Sequence, residues 1–142
     1  MLIRMLYVST AVGPITTAVT GTILRSAQAF NAANGITGVL CQGQGVFLQV
    51  LEGRRADVNA LYTRIAVDKR HKNVQLMTAE DIVKRRYGAW AMAHVDMTDS
   101  VAMLALSASG SGFDPYATTG ERVMAQIDTL IAAGKVMSAP VI

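Results

Sequence analysis

Cys41 stands alone as the single cysteine in 142 residues. Without a second thiol the chain can form neither an internal disulfide nor a thiolate-built metal site. Cys41 lies in an apolar, strand-like run, which reads as a buried, inert thiol. Charge is also scarce, at 16% of residues against 51% hydrophobic. That balance excludes a disordered chain and supplies a full core for one domain. The net charge is only +3 and aromatic residues make up 6%. The two basic runs, Lys69-Arg70-His71-Lys72 and Lys84-Arg85-Arg86, have no aromatic interleaving. They read as solvated loops or one phosphate contact, and no direct nucleic-acid partner is expected. No apolar run approaches the ~20 residues of a membrane span, and Met1-Leu2-Ile3-Arg4 lacks the pattern of a signal peptide. A soluble, cytoplasmic protein is expected.

Catalytic signatures are missing as well. Gly35-Ile36-Thr37-Gly38 follows a helical pattern and precedes a strand, the wrong context for a phosphate-binding loop. His71 and His94 have no ligand partners at a metal-binding spacing. Asp57 and Asp68 fall near opposite ends of one helical segment, so they do not form a carboxylate pair. With no nucleophile poised beside a base, the expectation is that the chain is not an enzyme.

Periodicity orders the first two-thirds of the chain. Leu2–Ser9 reads as a strand with Leu2, Arg4, Leu6 and Val8 on one face and Ile3, Met5 and Tyr7 on the other. Thr16 or Thr17 caps a helix reaching Asn34, with Val19, Ile23, Ala27 and Phe30 on one stripe, and Gly35 ends it. Residues 36–42 and 46–52 form a hairpin across Gly43-Gln44-Gly45. A second helix covers about 56–67. A fourth strand is predicted at 74–77 with an irregular extension through Val83, and a fifth at 89–95, where Trp90 and Met92 share a face. This is an α+β, ferredoxin-like βαββαββ sheet with two helices on one face. C-terminal helices follow, at 98–108 with Asp99 as cap and at 120–133 with Val123, Ile127, Leu130 and Ile131 on one face. The expected division is 1–97 as one domain and 98–142 as an extension that covers the sheet or forms an interface.

What the chain does have is uncharged polar residues inside apolar elements. Tyr7 sits in the first strand, Asn31 and Asn34 end the first helix, and Gln49 interrupts Val46-Phe47-Leu48-Gln49-Val50-Leu51. A buried amide or phenol is costly without partners. In a ferredoxin-like sheet the first and third strands are adjacent, so Tyr7 and Gln49 can meet. Taken alone, each residue has a plain reading: a core tyrosine, an outward glutamine, an asparagine at a helix end. The other reading is a neutral, hydrogen-bonding ligand site.

The words carrying these residues are specific in order and spacing. They are Leu6-Tyr7-Val8-Ser9, Asn31-Ala32-Ala33-Asn34-Gly35-Ile36-Thr37-Gly38-Val39-Leu40 and Phe47-Leu48-Gln49-Val50-Leu51-Glu52-Gly53. Asp68-Lys69-Arg70-His71 and Arg85-Arg86-Tyr87-Gly88-Ala89-Trp90-Ala91-Met92 complete the set. Over about residues 2–96 the chain resembles the BLUF domain, a flavin-binding sensor of blue light, in its short stand-alone form.

The resemblance implies a blue-light photoreceptor with FAD as cofactor, FMN or riboflavin being able to fill the same site. It implies that Tyr7 donates an electron and a proton to the excited flavin and that Gln49 bridges Tyr7 to the ring and rearranges. Asn31 would bond the ring, Asp68 and Arg70 would lie near its other carbonyl and ribityl side, and Ile23, Phe47 and Leu48 would line it. Trp90 and Met92 would relay the signal to the C-terminal helices. The output implied is a separate signalling protein, with a cyclic-di-nucleotide phosphodiesterase as one candidate, reached by a homo-oligomer. A plain scaffold and a flavin-dependent redox enzyme are the rival readings.

Overall fold

The computed structural model describes residues 1–98, 114–134 and 136–138. The helix expected at 98–108, with its Asp99 cap, lies almost entirely outside the described residues. The elements are β1 (Leu2–Ala11), α1 (Thr17–Asn34), β2 (Thr37–Gly43), β3 (Val46–Arg54), α2 (Arg55–Ala66), β4 (His71–Ile82) and β5 (Ala93–Asp96). A short 3-10 turn at Pro115–Ala117 precedes α3 (Gly120–Ala132) and β6 (Val136–Ser138). The strands form one mixed sheet in the order β4-β1-β3-β2-β5-β6, with β2 and β5 parallel and the other pairs antiparallel.

Strand alternation divides the core in two. Ile3, Met5, Leu40, Phe47 and Leu51 face α1 and α2, where Leu24, Val58 and Leu61 meet them. Leu6, Val8, Val39, Cys41, Leu48 and Val50 face the other way, against Val123, Met124, Ile127 and Leu130 of α3. Burial pushes the Cys41 thiol up to about 12, so it stays protonated. The α1 helix has the ends its sequence dictates. The Thr16 hydroxyl accepts from the Val19 N–H, and Gly35 closes the helix in the left-handed region at φ 65°.

Alternation also buries a charge. Arg4 points toward the α3 side, directly opposite Glu52 on β3. The Arg4 Nε donates to Glu52 at 2.9 Å, and Glu52 is completely buried. The same carboxylate accepts the backbone N–H groups of Arg86 at 2.8 Å and Tyr87 at 2.7 Å. A buried carboxylate persists only when its lone pairs are satisfied in this way. Glu52 therefore anchors the loop between β4 and β5 to the centre of the sheet.

The strand boundaries differ from the sequence expectation at two places. β4 is one 12-residue strand with register shifts against β1, where a strand at 74–77 with an irregular extension through Val83 was expected. It is an edge strand with one side in water, so Lys72, Glu80 and Asp81 are tolerated although they mask the apolar pattern. β5 is shorter than expected, because residues 89–92 belong to the preceding loop and Trp90 makes only an isolated bridge. Within that stretch Gly38 N donates to the Trp90 carbonyl at 3.1 Å. A side chain at Gly38 would collide with the Val50 carbonyl, so glycine is required there.

On β5, His94 is half-buried, and its Nε2 has no partner among the described residues. Burial lowers its pKa below the ordinary 6.5, outweighing the opposing pull of Asp96. The unfolded chain therefore takes up this proton first as pH falls. Folding stability is expected to drop with decreasing pH from 6.5 down to the folded pKa, and His94→Gln to flatten that slope. Urea titrations of both proteins between pH 7.5 and 5 check this.

Candidate functional site

A cavity of about 200 Å³ opens between α1 and α2 beneath the sheet. Its roof is Tyr7 of β1, Leu40 of β2, and Phe47 and Gln49 of β3. Its walls are Ile23, Ala27, Phe30 and Asn31 from α1 and Leu61, Arg64 and Ile65 from α2. Asp68, Arg70 and His71 close the end where the chain enters β4. This volume is below the roughly 300–1,000 Å³ of a pocket that swallows a drug-sized ligand. It suits a flat ring system whose substituent extends outside.

Tyr7 and Gln49 are register partners across β1 and β3. The Tyr7 hydroxyl donates to Gln49 Oε1 at 2.5 Å, and both residues are buried. Burial raises the Tyr7 pKa far above the ordinary range, with Tyr62 and Asp68 adding to the effect. The phenol therefore remains a neutral donor. Tyr62 of α2 packs its ring 5.7 Å from that of Tyr7. Gln49 Nε2 approaches the Met92 sulfur at 3.5 Å, a weak contact that leaves the amide with donor capacity toward the cavity.

Asn31 is completely buried. Its Nδ2 donates to the Ala91 carbonyl at 2.8 Å, while its Oδ1 is buried with no partner among the described residues. The amide orientation is fixed, because a flip would set one carbonyl oxygen against another. The unpartnered Oδ1 thus calls for a ligand that presents an N–H or O–H donor. A flavin ring, apolar on its faces and carrying one imide N–H between two carbonyls, matches this acceptor, the Gln49 donor and the apolar lining from Ile23, Phe30, Leu40 and Phe47.

The other expected residues divide. Ile23, Phe47, Asp68 and Arg70 line the cavity. Arg70 is clamped by Asp68, at 2.6 Å, and this contact lowers the Asp68 pKa. Leu48 does not line it. Strand alternation turns Leu48 to the opposite face, into the cluster with Val123 and Ile127. Trp90 and Met92 do not share a face either. Met92 is completely buried on the α1 and α2 side, next to Gln49. Trp90 packs against the opposite cluster and stacks on Tyr87 at 6.2 Å. The irregular backbone at 89–92 removes the two-residue period on which the shared face was based.

His71, which has no metal-ligand partners in the sequence, is held by structural hydrogen bonds and lines the cavity. Its Nε2 lies 2.5 Å from the Ile65 carbonyl and its Nδ1 lies 2.7 Å from the Ser9 hydroxyl. The carbonyl can only accept, so Nε2 carries the proton, and in the neutral ring Nδ1 accepts from Ser9. Arg64 covers the Phe30 ring at 4.7 Å, a cation–π contact at the wall. Helical spacing from Leu61 would have placed Arg64 and Ile65 on the same wall. Asn31→Ala should leave the Ala91 carbonyl buried and unpaired and destabilise the ligand-free fold by about 1–3 kcal/mol. Thermal melts of the two proteins measure it.

Comparison with known proteins agrees with this geometry. Residues 2–93 match the family model BLUF, described as sensors of blue-light using FAD. The chain is 38% identical over 99 residues to the photoactivated adenylate cyclase subunit alpha of Euglena gracilis, covering 70% of this chain and 9% of that protein. The chain thus spans about a tenth of the length of that relative. The photo-activated state of BlsA superposes with a TM-score of 0.82 at 26% identity, over 92% of this chain and 95% of that one. Klebsiella pneumoniae BlrP1 with FMN and cyclic diGMP superposes with a TM-score of 0.68 at 25% identity, over 94% and 35% of the two chains. The family match over residues 2–93, on a fold whose cavity carries a Tyr–Gln pair at its roof, places the chain in the BLUF family of blue-light sensors.

Proposed function

We propose that this protein is a blue-light photoreceptor in which Tyr7 and Gln49 form the switch, Asn31 is the fixed anchor, and FAD is the cofactor. The observation that carries the reading is the 2.5 Å Tyr7–Gln49 bond over a cavity lined by an unpartnered amide oxygen. When bound, the flavin supplies a ring that absorbs blue light and becomes a strong oxidant. Asn31 Oδ1 holds the imide edge of the ring. Tyr7 would pass an electron and, through the Gln49 amide, a proton to the excited ring and take both back as the ring returns to its oxidised state.

The two amides differ in their freedom to turn. A flipped Gln49 presents its N–H to Tyr7, whose oxygen can accept, and loses only the weak contact to Met92. Asn31 would lose a 2.8 Å bond and gain a clash. Gln49 is therefore bistable, and Asn31 fixes the ring against which its rearrangement is felt. A stronger hydrogen bond from Gln49 to the ring carbonyl lowers the excitation energy and reddens the absorption. FMN and riboflavin share the ring that these residues grip, and BlrP1 is a relative with FMN in its printed name.

No substrate is consumed in this cycle, and we read the protein as a non-enzymatic regulator. Met92 and the loop before β5 carry the response to α3 and on to a separate signalling protein. The named relatives link this domain to nucleotide signalling, as an adenylate cyclase and as a protein with cyclic diGMP. A cyclic-di-nucleotide phosphodiesterase is accordingly the first partner class to test. Reconstituted with FAD, the protein should show a small, reversible red shift after blue light. Tyr7→Phe should bind the flavin and lose the shift, as recorded by absorption spectra in darkness and after illumination. A Tyr7→Phe protein that still shifts would refute the assigned switch.

A further inference from the structure

The loop between β4 and β5, residues 83–92, is held at both ends by different parts of the molecule. At its C-terminal end it contacts the cavity residues. The Ala91 carbonyl accepts from Asn31, the Met92 carbonyl accepts from Gln28 of α1 at 3.2 Å, and the Met92 sulfur meets Gln49. At its N-terminal end it is tied to the sheet and to α3. Glu52 holds the N–H groups of Arg86 and Tyr87. On the far side of the sheet, Asp128 of α3 accepts from the Tyr87 hydroxyl at 2.7 Å and from Arg86 at 3.0 Å.

The two bonds to Asp128 are unequal. Arg86 and Asp128 have side chains 45% and 42% exposed, so their ion pair is screened and contributes little. Tyr87 is only 4% exposed, and its ring is packed against Trp90. Burial and the adjacent Asp128 raise its pKa, which keeps the hydroxyl protonated and donating. A phenol with little freedom to move, bonded to a carboxylate on a separate helix, fixes the distance between loop and helix. Tyr87 is followed by the Trp90 N–H to Tyr87 carbonyl turn, at 3.2 Å, and then by Ala91 and Met92. The path from Asp128 to the cavity is therefore short and made of directed bonds.

Building on the photoreceptor reading, we propose that Tyr87 and Asp128 are positioning residues for the switch. Their hydrogen bond, made outside the cavity and on the opposite face of the sheet, holds the loop in the arrangement that seats Met92 against Gln49. It thereby sets the lifetime of the light state and transmits that state to α3. Coupling of this kind is reciprocal: a loop that moves with Gln49 must pull on α3, and loosening α3 must alter the return of Gln49. Glu52 holds the backbone at the root of the loop, so the Tyr87 side chain is left as the link that passes motion between the loop and α3.

The test uses the full chain loaded with FAD, and the variants Tyr87→Phe, Asp128→Leu and Asp128→Asn. Tyr87→Phe and Asp128→Leu should retain the flavin and the red shift but return to the dark spectrum more slowly, by roughly two- to thirtyfold. Asp128→Asn keeps an acceptor for the phenol and should recover close to the parent rate. Hydrogen exchange provides the second readout. Light should change exchange in α3 of the parent and of Asp128→Asn, and leave α3 unchanged in Tyr87→Phe. In flavin-free protein, the Trp90 amide should exchange faster in Tyr87→Phe than in the parent. If the parent shifts reversibly while Tyr87→Phe and Asp128→Leu recover at the parent rate or faster, the positioning role is refuted and the photoreceptor reading stands. A parent without a red shift refutes both.

Discussion

The register of β1 against β3 is the constraint on which the rest of the structure depends. Because Tyr7 pairs with Gln49, every residue of matching parity on the two strands is committed to a face. Ile3, Met5 and Phe47 join the cavity side, while Leu6, Val8 and Leu48 join the α3 side. A one-residue slip would turn the phenol and the amide to opposite faces and bury Arg4 without Glu52. The ion pair of Arg4 and Glu52, three residues from Tyr7 and Gln49 on the same strands, therefore works as a register lock: it is satisfied only when Tyr7 and Gln49 are correctly opposed.

Two amides with the same chemistry take different roles because of their neighbours. Asn31 donates to a carbonyl, which can only accept, and this fixes its orientation. Gln49 faces a phenol, which can donate or accept, and a thioether, which interacts weakly. On the proposed reading, the cavity combines one amide fixed in orientation with one that finds a partner in either orientation. A switch needs both, since a rearrangement is informative only relative to a ring that stays in place.

Much of the fold could be read from the chain. The strand faces of β1, the hairpin at residues 43–45, the Thr16 and Gly35 helix ends and the apolar stripe of α3 all follow from local rules, and the structure has them where those rules put them. The rules failed where tertiary context replaces local preference. Edge position let β4 carry charges that concealed it. The resemblance put Leu48 beside Phe47 at the cavity, although adjacent strand residues face apart. Trp90 and Met92 were given a common face by a period that their loop does not possess. The place of His71 at the cavity carried no signal in the sequence, because its partners, Ser9 and the Ile65 carbonyl, lie on other elements.

The sequence by itself determined the family, the order of the elements and the identities of Tyr7, Asn31 and Gln49, because spacing and residue chemistry are local and survive without coordinates. Only the tertiary structure decided which neighbours those side chains meet. It placed Met92 rather than Trp90 beside Gln49, left the Asn31 oxygen buried with no partner among the described residues, and joined Tyr87 to Asp128 across 41 residues of sequence. Such pairings depend on the packing of the two helical layers against opposite faces of the sheet. That packing is a property of the whole chain and is written in no single segment of it.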